Sequence, residues 1–278
     1  MDRLKTLPLG IYEKAISNHL SWKEKLELAQ ESGYDYVEIS VDATPERLER
    51  LYSPSCVLDL RRAVEETGVP VYTMALTANR AYPLGSEDDT VREKGLEIVE
   101  RAIAFAAATG IRAVHLAAYD EHGDRCNANT QLRFKAAMNR CVEMAAGKGV
   151  ILALETMDTQ FMGSCTNIMA LCESIDSPYL QCYADIGNLT ASGISVAEDI
   201  KRAGKHIVGV HLKDSKPGVY RDVLFGQGIV DFDSCLHALE DIDYSGFFVA
   251  EMWSYDDEQF HSYLPTASSY LREKLAKY

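Results

Sequence analysis

The sequence predicts an α/β fold, a (β/α)8 or TIM barrel, from two observations. Amphipathic helices and short apolar strands alternate along the whole chain, and a glycine precedes most of the strands. The strands are nearly continuous apolar runs, which is typical of a parallel sheet covered on both faces. The length of 278 residues suits one such barrel. Because no linker or shift in composition marks a boundary, we expect residues 1–278 to form a single domain.

Eight segments are predicted as the strands of the barrel. In chain order they are LPLGIY, DYVEISV after Gly33, VPVYTMAL after Gly68, IRAVHLAAY after Gly110, VILALET after Gly149, YLQCYADI, HIVGVHLKD after Gly204, and FFVAEMW after Gly246. Glycine just past a helix allows the left-handed conformation that ends the helix, so the next strand can begin within a few residues.

Helical patterns follow the strands. The first begins at Ser21, where Glu24 three residues later completes a capping-box pattern. The predicted helical segments are 21–32, 90–108, 130–146, 195–203, 233–241 and 258–275. Several loops that follow strands are long, namely 77–89, 119–129 and 213–232. Because a barrel of this kind builds its active site from the loops after its strands, we expect the functional site on that side.

Four potential metal ligands stand at the carboxyl ends of the last four predicted strands: Glu155, Asp185, His211 and Glu251. They are separated by 30, 26 and 40 residues, close to the roughly 31 residues of one βα unit. Buried carboxylates in a group repel one another unless a cation balances them. Imidazole with carboxylates suits manganese, zinc, magnesium or cobalt. The pattern therefore predicts a divalent metal site.

Each of these residues alone has a simpler interpretation. An acidic residue that ends a strand is often the N-cap of the next helix, and a single strand-end histidine is more often a hydrogen-bonded core residue. Four such residues at equivalent strand ends favour a common role as metal ligands. Glu38 in the second strand and His115 in the fourth leave two interpretations open, because each could line the pocket or serve as a structural hydrogen-bonding group.

The loop after the seventh strand concentrates positive charge in an otherwise acidic chain. Lys213, Lys216 and Arg221 lie within nine residues, and Gly226 and Gly228 follow. Barrel enzymes often bind phosphate with the loops after strands seven and eight, and arginine suits bidentate phosphate contact. We therefore predict a phosphate site that includes Gly228 as a point of close backbone approach. The alternative is a set of solvated loop charges, some paired with nearby aspartates.

Composition restricts the possible partners and location. The formal net charge of -14 disfavours nucleic acid as a partner. The seven cysteines are odd in number and form no CxxC or zinc-type cluster, which favours free thiols in a reducing compartment. No segment has the pattern of a secretory signal or the length of a membrane span. We expect a cytoplasmic protein with no membrane partner.

Several motifs resemble those of the L-ribulose-5-phosphate (L-xylulose-5-phosphate) 3-epimerases, which belong to the xylose-isomerase-like barrels. The resemblance runs from about residue 7 to the end of the chain. The matching segments are PLGIYEKA at 8–15, YPLGSEDD at 82–89, GLEI at 95–98, YADIGNL at 183–189, KDSKPGVYRDVLFGQGIVDF at 213–232 and VAEMW at 249–253.

The resemblance implies a metal-dependent 3-epimerase that interconverts L-xylulose 5-phosphate and L-ribulose 5-phosphate. It implies that Glu155, Asp185, His211 and Glu251 hold the metal, and that the two glutamates remove and return a proton at C3 through an enediolate. Asn188 stands where many relatives that act on free ketoses carry a substrate-contacting histidine. The resemblance also points to L-ascorbate or related pentulose catabolism and to a possible homodimer.

Alternatives of two classes remain open at this point, and a third class, a nuclease, is disfavoured. An aldose–ketose isomerase on the same barrel, or a 3-epimerase of another ketose, would use similar ligands. A non-catalytic barrel that binds sugar phosphates is the alternative of another class. A related abasic-site endonuclease would need further metal-binding histidines, including one at the position of Asn188, and a less acidic surface.

Overall fold

The computed structural model describes residues 3–278, apart from the side chain of Asp124, so residues 1 and 2 of the predicted domain lie outside the described range. Eight parallel strands form a closed barrel in chain order, with β1 also paired to β8. The strands are β1 Leu9–Tyr12, β2 Tyr36–Val41, β3 Val71–Leu76, β4 Ala113–Ala117, β5 Ile151–Glu155, β6 Leu180–Asp185, β7 Ile207–Leu212 and β8 Phe247–Ala250. The predicted fold class and all eight predicted strands are confirmed.

Helices connect the strands and cover the outside of the barrel. Within the described range they are α1 Trp22–Glu31, α2 Pro45–Glu49, α3 Pro54–Thr67, α4 Asp89–Thr109, α5 Ala128–Lys148, α6 Cys165–Ile175, α7 Ile186–Ala191, α8 Val196–Ala203, α9 Phe232–Asp241 and α10 Leu264–Leu275. The apolar strand faces and helix faces form one large buried core. No helix among residues 3–278 combines the length and the apolarity that crossing a membrane requires.

Local sequence signals account for several helix ends. The side chain of Ser21 accepts a hydrogen bond from the Glu24 N–H, and the Glu24 carboxylate accepts one from the Ser21 N–H, so the predicted capping box is confirmed. Gly68, Gly110 and Gly149 adopt left-handed φ angles of 72°, 84° and 69° where α3, α4 and α5 end.

The last predicted helix is shorter than expected. The segment 258–275 divides into a 3₁₀ turn over Glu258–Tyr263 and α10 over Leu264–Leu275. Pro265 explains the division, because proline lacks an N–H and is tolerated only in the first turn of a helix. An α-helix running through this position would lose a backbone hydrogen bond and clash with the proline ring.

Two glycines make room for tyrosines inside the barrel. A Cβ atom on Gly10 would lie 2.4 Å from the ring of Tyr36, and one on Gly209 would lie 2.1 Å from the ring of Tyr183. Both rings are fully buried, and the Tyr36 hydroxyl donates to the Phe248 carbonyl at 3.0 Å. The close packing of Tyr183 on β7 places its hydroxyl beneath the carboxyl ends of the strands, where the functional site is found.

Candidate metal centre and active site

The barrel brings the four predicted ligands together. Glu155 and Asp185 are the last residues of β5 and β6, His211 is the penultimate residue of β7, and Glu251 directly follows β8. All four side chains are buried, and one ligand atom from each lies within 4.8 Å of the others. The arrangement can hold one metal ion, and the assignment of the four residues as its ligands stays a prediction.

The imidazole of His211 joins two layers of the site. Its Nδ1 lies 3.1 Å from Glu155 Oε1 and 3.5 Å from Glu251 Oε2, so this nitrogen faces the four-residue cluster. Its Nε2 lies 2.7 Å from Glu38 Oε1, deeper in the barrel. The ring is fully buried. Its orientation therefore leaves one nitrogen for a metal ion and directs the other to a carboxylate.

Asp185 has both of the roles that sequence reasoning considered for it. Its Oδ1 accepts hydrogen bonds from the N–H groups of Gly187 and Asn188 and so caps α7. Its Oδ2 points into the cluster, 2.6 Å from Lys213 Nζ. Burial raises the pKa of Asp185 to about 7, with Lys213 opposing the rise and Glu251 adding to it. A further cation at this position would relieve that cost.

Lys213 lies among the carboxylates. Its ammonium is 2.6 Å from Asp185 Oδ2, 2.7 Å from Glu251 Oε2 and 2.9 Å from the Asn188 side-chain oxygen. The contact with Glu251 Oε2 is an ion pair without hydrogen-bond geometry, so that buried oxygen has no hydrogen-bond partner among the described residues. With all three carboxylates ionised and His211 neutral, the ammonium leaves two negative charges, which a divalent cation would balance. The donor set therefore fits a divalent metal.

Glu155 is held in its ionised form. Burial would raise the pKa of its carboxyl, but the neighbouring His115 and His211 lower it to about 2. The ionised form can accept a proton or bind a cation.

Both the nitrogen and the oxygen of the Asn188 side-chain amide form hydrogen bonds. The Nδ2 group donates to the Thr156 carbonyl at 2.9 Å, and Oδ1 accepts from Lys213. The side chain also lines the cavity above the cluster. Its predicted contact with substrate stays a prediction.

Asp214 organises the loop after β7. Its carboxylate accepts hydrogen bonds from the N–H groups of Gly226 and Gly228, at 2.9 and 3.0 Å, and also from Ser215 and Val230. A Cβ atom on Gly228 would lie 2.0 Å from Asp214 Oδ1. Gly228 therefore allows a close backbone approach, but its N–H is directed at Asp214 in this structure.

A cavity of about 790 Å³ opens above the cluster at the carboxyl ends of the strands. Its size is typical of small-molecule sites. Four cationic side chains line it: Lys14, Arg80, Lys213 and Arg221. Lys216 is exposed and is not among the lining residues. Of the three predicted phosphate-binding cations, the structure brings Lys213 and Arg221 to the cavity.

Sequence reasoning missed Arg80. This residue ends a 3₁₀ turn, Thr77–Arg80, that directly follows β3, and its guanidinium packs over the Tyr119 ring at 5.3 Å. Within the described residues, this ring contact is the only direct interaction found for the guanidinium, which has no hydrogen bond or ion pair. Its position within the long strand-to-loop segment 77–89 was the signal that could have identified it.

Glu38 and His115 form the layer beneath the cluster. Glu38 is fully buried, and its Oε2 accepts hydrogen bonds from the hydroxyls of Thr73 and Tyr183 at 2.7 and 2.8 Å. His115 lines the bottom of the cavity and stacks on the Tyr183 ring, with centroids 4.2 Å apart. Its ring nitrogens lie 3.3 Å from Glu38 and 3.5 Å from Glu155.

Comparison with known proteins assigns the chain to a family. The model of the xylose isomerase-like TIM barrel family matches residues 26–274. The chain belongs to this family. Within it, this xylose isomerase-like barrel is 44% identical over 274 residues to the Escherichia coli protein (strain E24377A) named L-ribulose-5-phosphate 3-epimerase UlaE. The match covers 98% of this chain and 96% of the relative, so the resemblance predicted from the motifs is confirmed.

Solved structures share the same barrel at low sequence identity. The D-allulose 3-epimerase of Methylomonas sp., solved in complex with D-allulose, superposes with a TM-score of 0.82 at 21% identity, covering 96% of this chain and 97% of that one. A structure described as the IOLI protein with a binding zinc atom has a TM-score of 0.82 at 19% identity, with coverages of 98% and 99%. These likenesses support the fold of this xylose isomerase-like barrel.

Proposed function

We propose that this protein is a metal-dependent 3-epimerase that interconverts L-xylulose 5-phosphate and L-ribulose 5-phosphate. The observation that carries the proposal is the convergence of Glu155 and Glu251 on one face of His211, in a chain 44% identical to enzymes named L-ribulose-5-phosphate 3-epimerase. Two carboxylates beside one cation-binding cluster are the groups that inversion at a carbon next to a carbonyl requires.

Glu155, Asp185, His211 and Glu251 would hold the divalent metal, which is manganese, zinc, magnesium or cobalt. The charge balance of the cluster and the unsatisfied oxygen of Glu251 support this assignment. When bound, a divalent ion supplies Lewis-acid polarisation of carbonyl and hydroxyl oxygens.

Glu155 and Glu251 would exchange the proton at C3. They come from β5 and from the end of β8, three strand positions apart around the closed barrel, so they approach a substrate from different directions. One carboxylate removes the proton from one face to give an enediolate, and the other returns a proton from the opposite face. Lys213 would hold Glu251 and Asp185 in position through its ion pairs.

The substrate phosphate would bind at Arg221 and Arg80, which line the same cavity as Lys213 and Asn188. Both arginines line the cavity, and neither forms an ion pair among the described residues. Guanidinium groups suit bidentate contact with phosphate. The phosphate would thus supply binding energy that orients the reacting carbon.

The test compares Glu155→Gln and Glu251→Gln with a matched control, Glu173→Gln, which alters an exposed glutamate on α6. We expect each active-site variant to lose about 10²–10⁴-fold in kcat for epimerisation of L-ribulose 5-phosphate, and the control to keep wild-type activity. Wild-type protein in D₂O should incorporate deuterium at C3. Near wild-type turnover by either active-site variant would refute the two-carboxylate mechanism.

The same experiment separates the related reactions. An aldose–ketose isomerase that shifts a hydride between C1 and C2 would leave C3 unlabelled. A barrel that only binds sugar phosphates would show saturable binding without turnover or exchange after metal is added. Deuterium at C3 together with inverted product is the result that supports the proposal.

We further propose a cytoplasmic location and a homodimeric assembly, with a role in L-ascorbate or related pentulose breakdown. All seven cysteines are free thiols, which suits a reducing compartment. The assembly is tested by light scattering of the purified protein, where a single-chain mass would refute the dimer.

A further inference from the structure

Glu38 is a buried carboxylate to which the proposed reaction assigns no proton transfer and no substrate contact. It lies within β2 and is fully buried. It faces the Nε2 side of the His211 ring, whereas Glu155 and Glu251 face the Nδ1 side. A buried carboxylate is costly unless hydrogen-bond donors surround it. The groups around Glu38 therefore indicate why it is there.

Those groups divide between its two oxygens. Oε2 accepts from Thr73 and Tyr183, at 2.7 and 2.8 Å, which holds the carboxylate in one orientation. Oε1 faces His211 Nε2 at 2.7 Å, and His115 Nε2 lies 3.3 Å away. One oxygen of the carboxylate is therefore fixed by two hydroxyl donors, and the other is directed at the His211 ring.

We propose that Glu38 is a positioning residue that sets the tautomer of His211. When His211 coordinates a metal ion its imidazole is neutral, and with Glu38 as acceptor the remaining proton would lie on Nε2, while Nδ1 faces Glu155 and Glu251. A carboxylate behind a histidine ligand fixes the ring orientation and increases the basicity of the coordinating nitrogen. The inference rests on the proposed metal site.

Two further residues, Gly209 and Tyr183, support this arrangement. Gly209 leaves room for the Tyr183 ring, and the Tyr183 hydroxyl then reaches Glu38. A side chain at position 209 would displace the ring and remove one of the two hydrogen bonds that orient the carboxylate. Tyr183 of β6 thus orients Glu38 of β2, which in turn faces His211 of β7.

The first test measures Zn²⁺ affinity of the full chain by competition with a chromophoric chelator. Glu38→Gln preserves shape but removes the charge, and we expect Zn²⁺ binding to weaken by about 10–100-fold. Glu121→Gln is the matched control, because it makes the same change at a buried carboxylate that accepts a hydrogen bond from Ser86 and does not line the cavity. We expect a much smaller loss in this control. Equal affinity of wild type and Glu38→Gln, or an equal loss in the control, would overturn the proposal.

The second test uses the wild-type protein and does not depend on the folding of a variant. In the protein labelled with ¹⁵N-histidine and loaded with Zn²⁺, the histidine that responds to the metal should be protonated at Nε2 and metal-bound at Nδ1. Coordination through Nε2 would overturn the proposal. Failure of wild-type protein to bind Zn²⁺ would instead remove the proposed metal site itself, and this inference with it.

Discussion

At the level of single residues, the cations of the cavity fall into two groups. Lys14 pairs with Asp42 at 2.5 Å, and Lys213 pairs with Asp185 and Glu251. Arg80 and Arg221 pack on aromatic rings and have no carboxylate partner within the range that the structure describes. A cation without a carboxylate partner is available to an anionic ligand, whereas a paired one must first give up its partner. The arginines are therefore the better candidates for binding a phosphate.

Replacement of either arginine by methionine should weaken binding of the phosphorylated substrate. A hydrogen bond to a charged group contributes about 1.5–3 kcal/mol, which corresponds to roughly 10–100-fold in KM for L-ribulose 5-phosphate. The loss should be much smaller with unphosphorylated L-ribulose, since that substrate lacks the charge. Steady-state kinetics with both substrates measure the difference.

Lys216→Met provides the matched comparison on the same loop. Lys216 is exposed and does not line the cavity, so we expect a smaller change in KM than for either arginine. If Lys216→Met raised KM selectively for the phosphorylated substrate and Arg80→Met did not, we would place the phosphate at the outer part of the loop.

At the level of secondary-structure elements, a buried ion cluster joins the amino-terminal strands and helices. Glu13 directly follows β1 and is fully buried. Its carboxylate contacts Lys25 of α1 at 2.7 Å, Arg47 of α2 at 3.0 Å and Arg50 at 2.7 Å. It also accepts the Ser40 N–H of β2 at 2.9 Å. One carboxylate thus links β1, β2, α1 and the helical turns after β2.

Glu13→Gln should destabilise the fold by about 3–5 kcal/mol, because removing one member of a buried ion cluster leaves the others uncompensated. Burial opposes ionisation of Glu13, but Arg50, Lys25 and Arg47 lower its pKa well below the usual value. Its contribution is therefore present above an unfolded-state pKa of about 4.3 and is lost as pH falls through the lower folded-state value. Urea unfolding from pH 7 to acid pH measures both effects.

The control for this experiment is Glu49→Gln, which alters an exposed glutamate at the end of α2. We expect it to stay within about 0.5 kcal/mol of wild type. The gap between wild type and Glu13→Gln should narrow in acid. A gap that stays constant down to strongly acid pH would show that the loss comes from packing rather than from charge.

Prediction of the elements themselves succeeded where local signals were strong. The apolar runs identified all eight strands, and the Ser21–Glu24 pair identified the start of α1. Four helices lie outside the predicted helical segments, namely α2, α3, α6 and α7. The five or six residues of α2 and α7 carry too little periodicity to be recognised, whereas α3 and α6 are long enough and were missed. The Asp185 carboxylate, which lies in the site, also caps the start of α7.

At the level of the whole molecule, the metal cluster joins four strands. Its members come from β5 to β8, and the pairing of β8 with β1 closes the ring. A bound ion would therefore cross-link the four strands β5 to β8, which form one half of the barrel. Ligands that bind only the folded state stabilise it in proportion to the logarithm of their concentration.

Zn²⁺ or Mn²⁺ at 100 times its Kd should stabilise the protein by about 2.7 kcal/mol, and a chelator should reverse this. The corresponding rise in Tm is about 2–4 °C for each kcal/mol, the range for proteins slightly shorter than this one. Asp185→Asn should lose most of the rise, whereas Asp59→Asn, on the exposed face of α3, should keep it. A rise of equal size in both variants, measured by thermal unfolding, would place the ion elsewhere.

The sequence by itself determined the barrel, its eight strands and the meeting of Glu155, Asp185, His211 and Glu251, because apolar runs and strand ends are local features. Only the tertiary structure decided which partner each side chain takes. It places Lys213 among the carboxylates, leaves Arg80 unpaired in the cavity and sets Glu38 behind His211. These contacts join residues as distant along the chain as Glu38 and His211, so they depend on barrel closure and on the space left by Gly209. No local pattern encodes them.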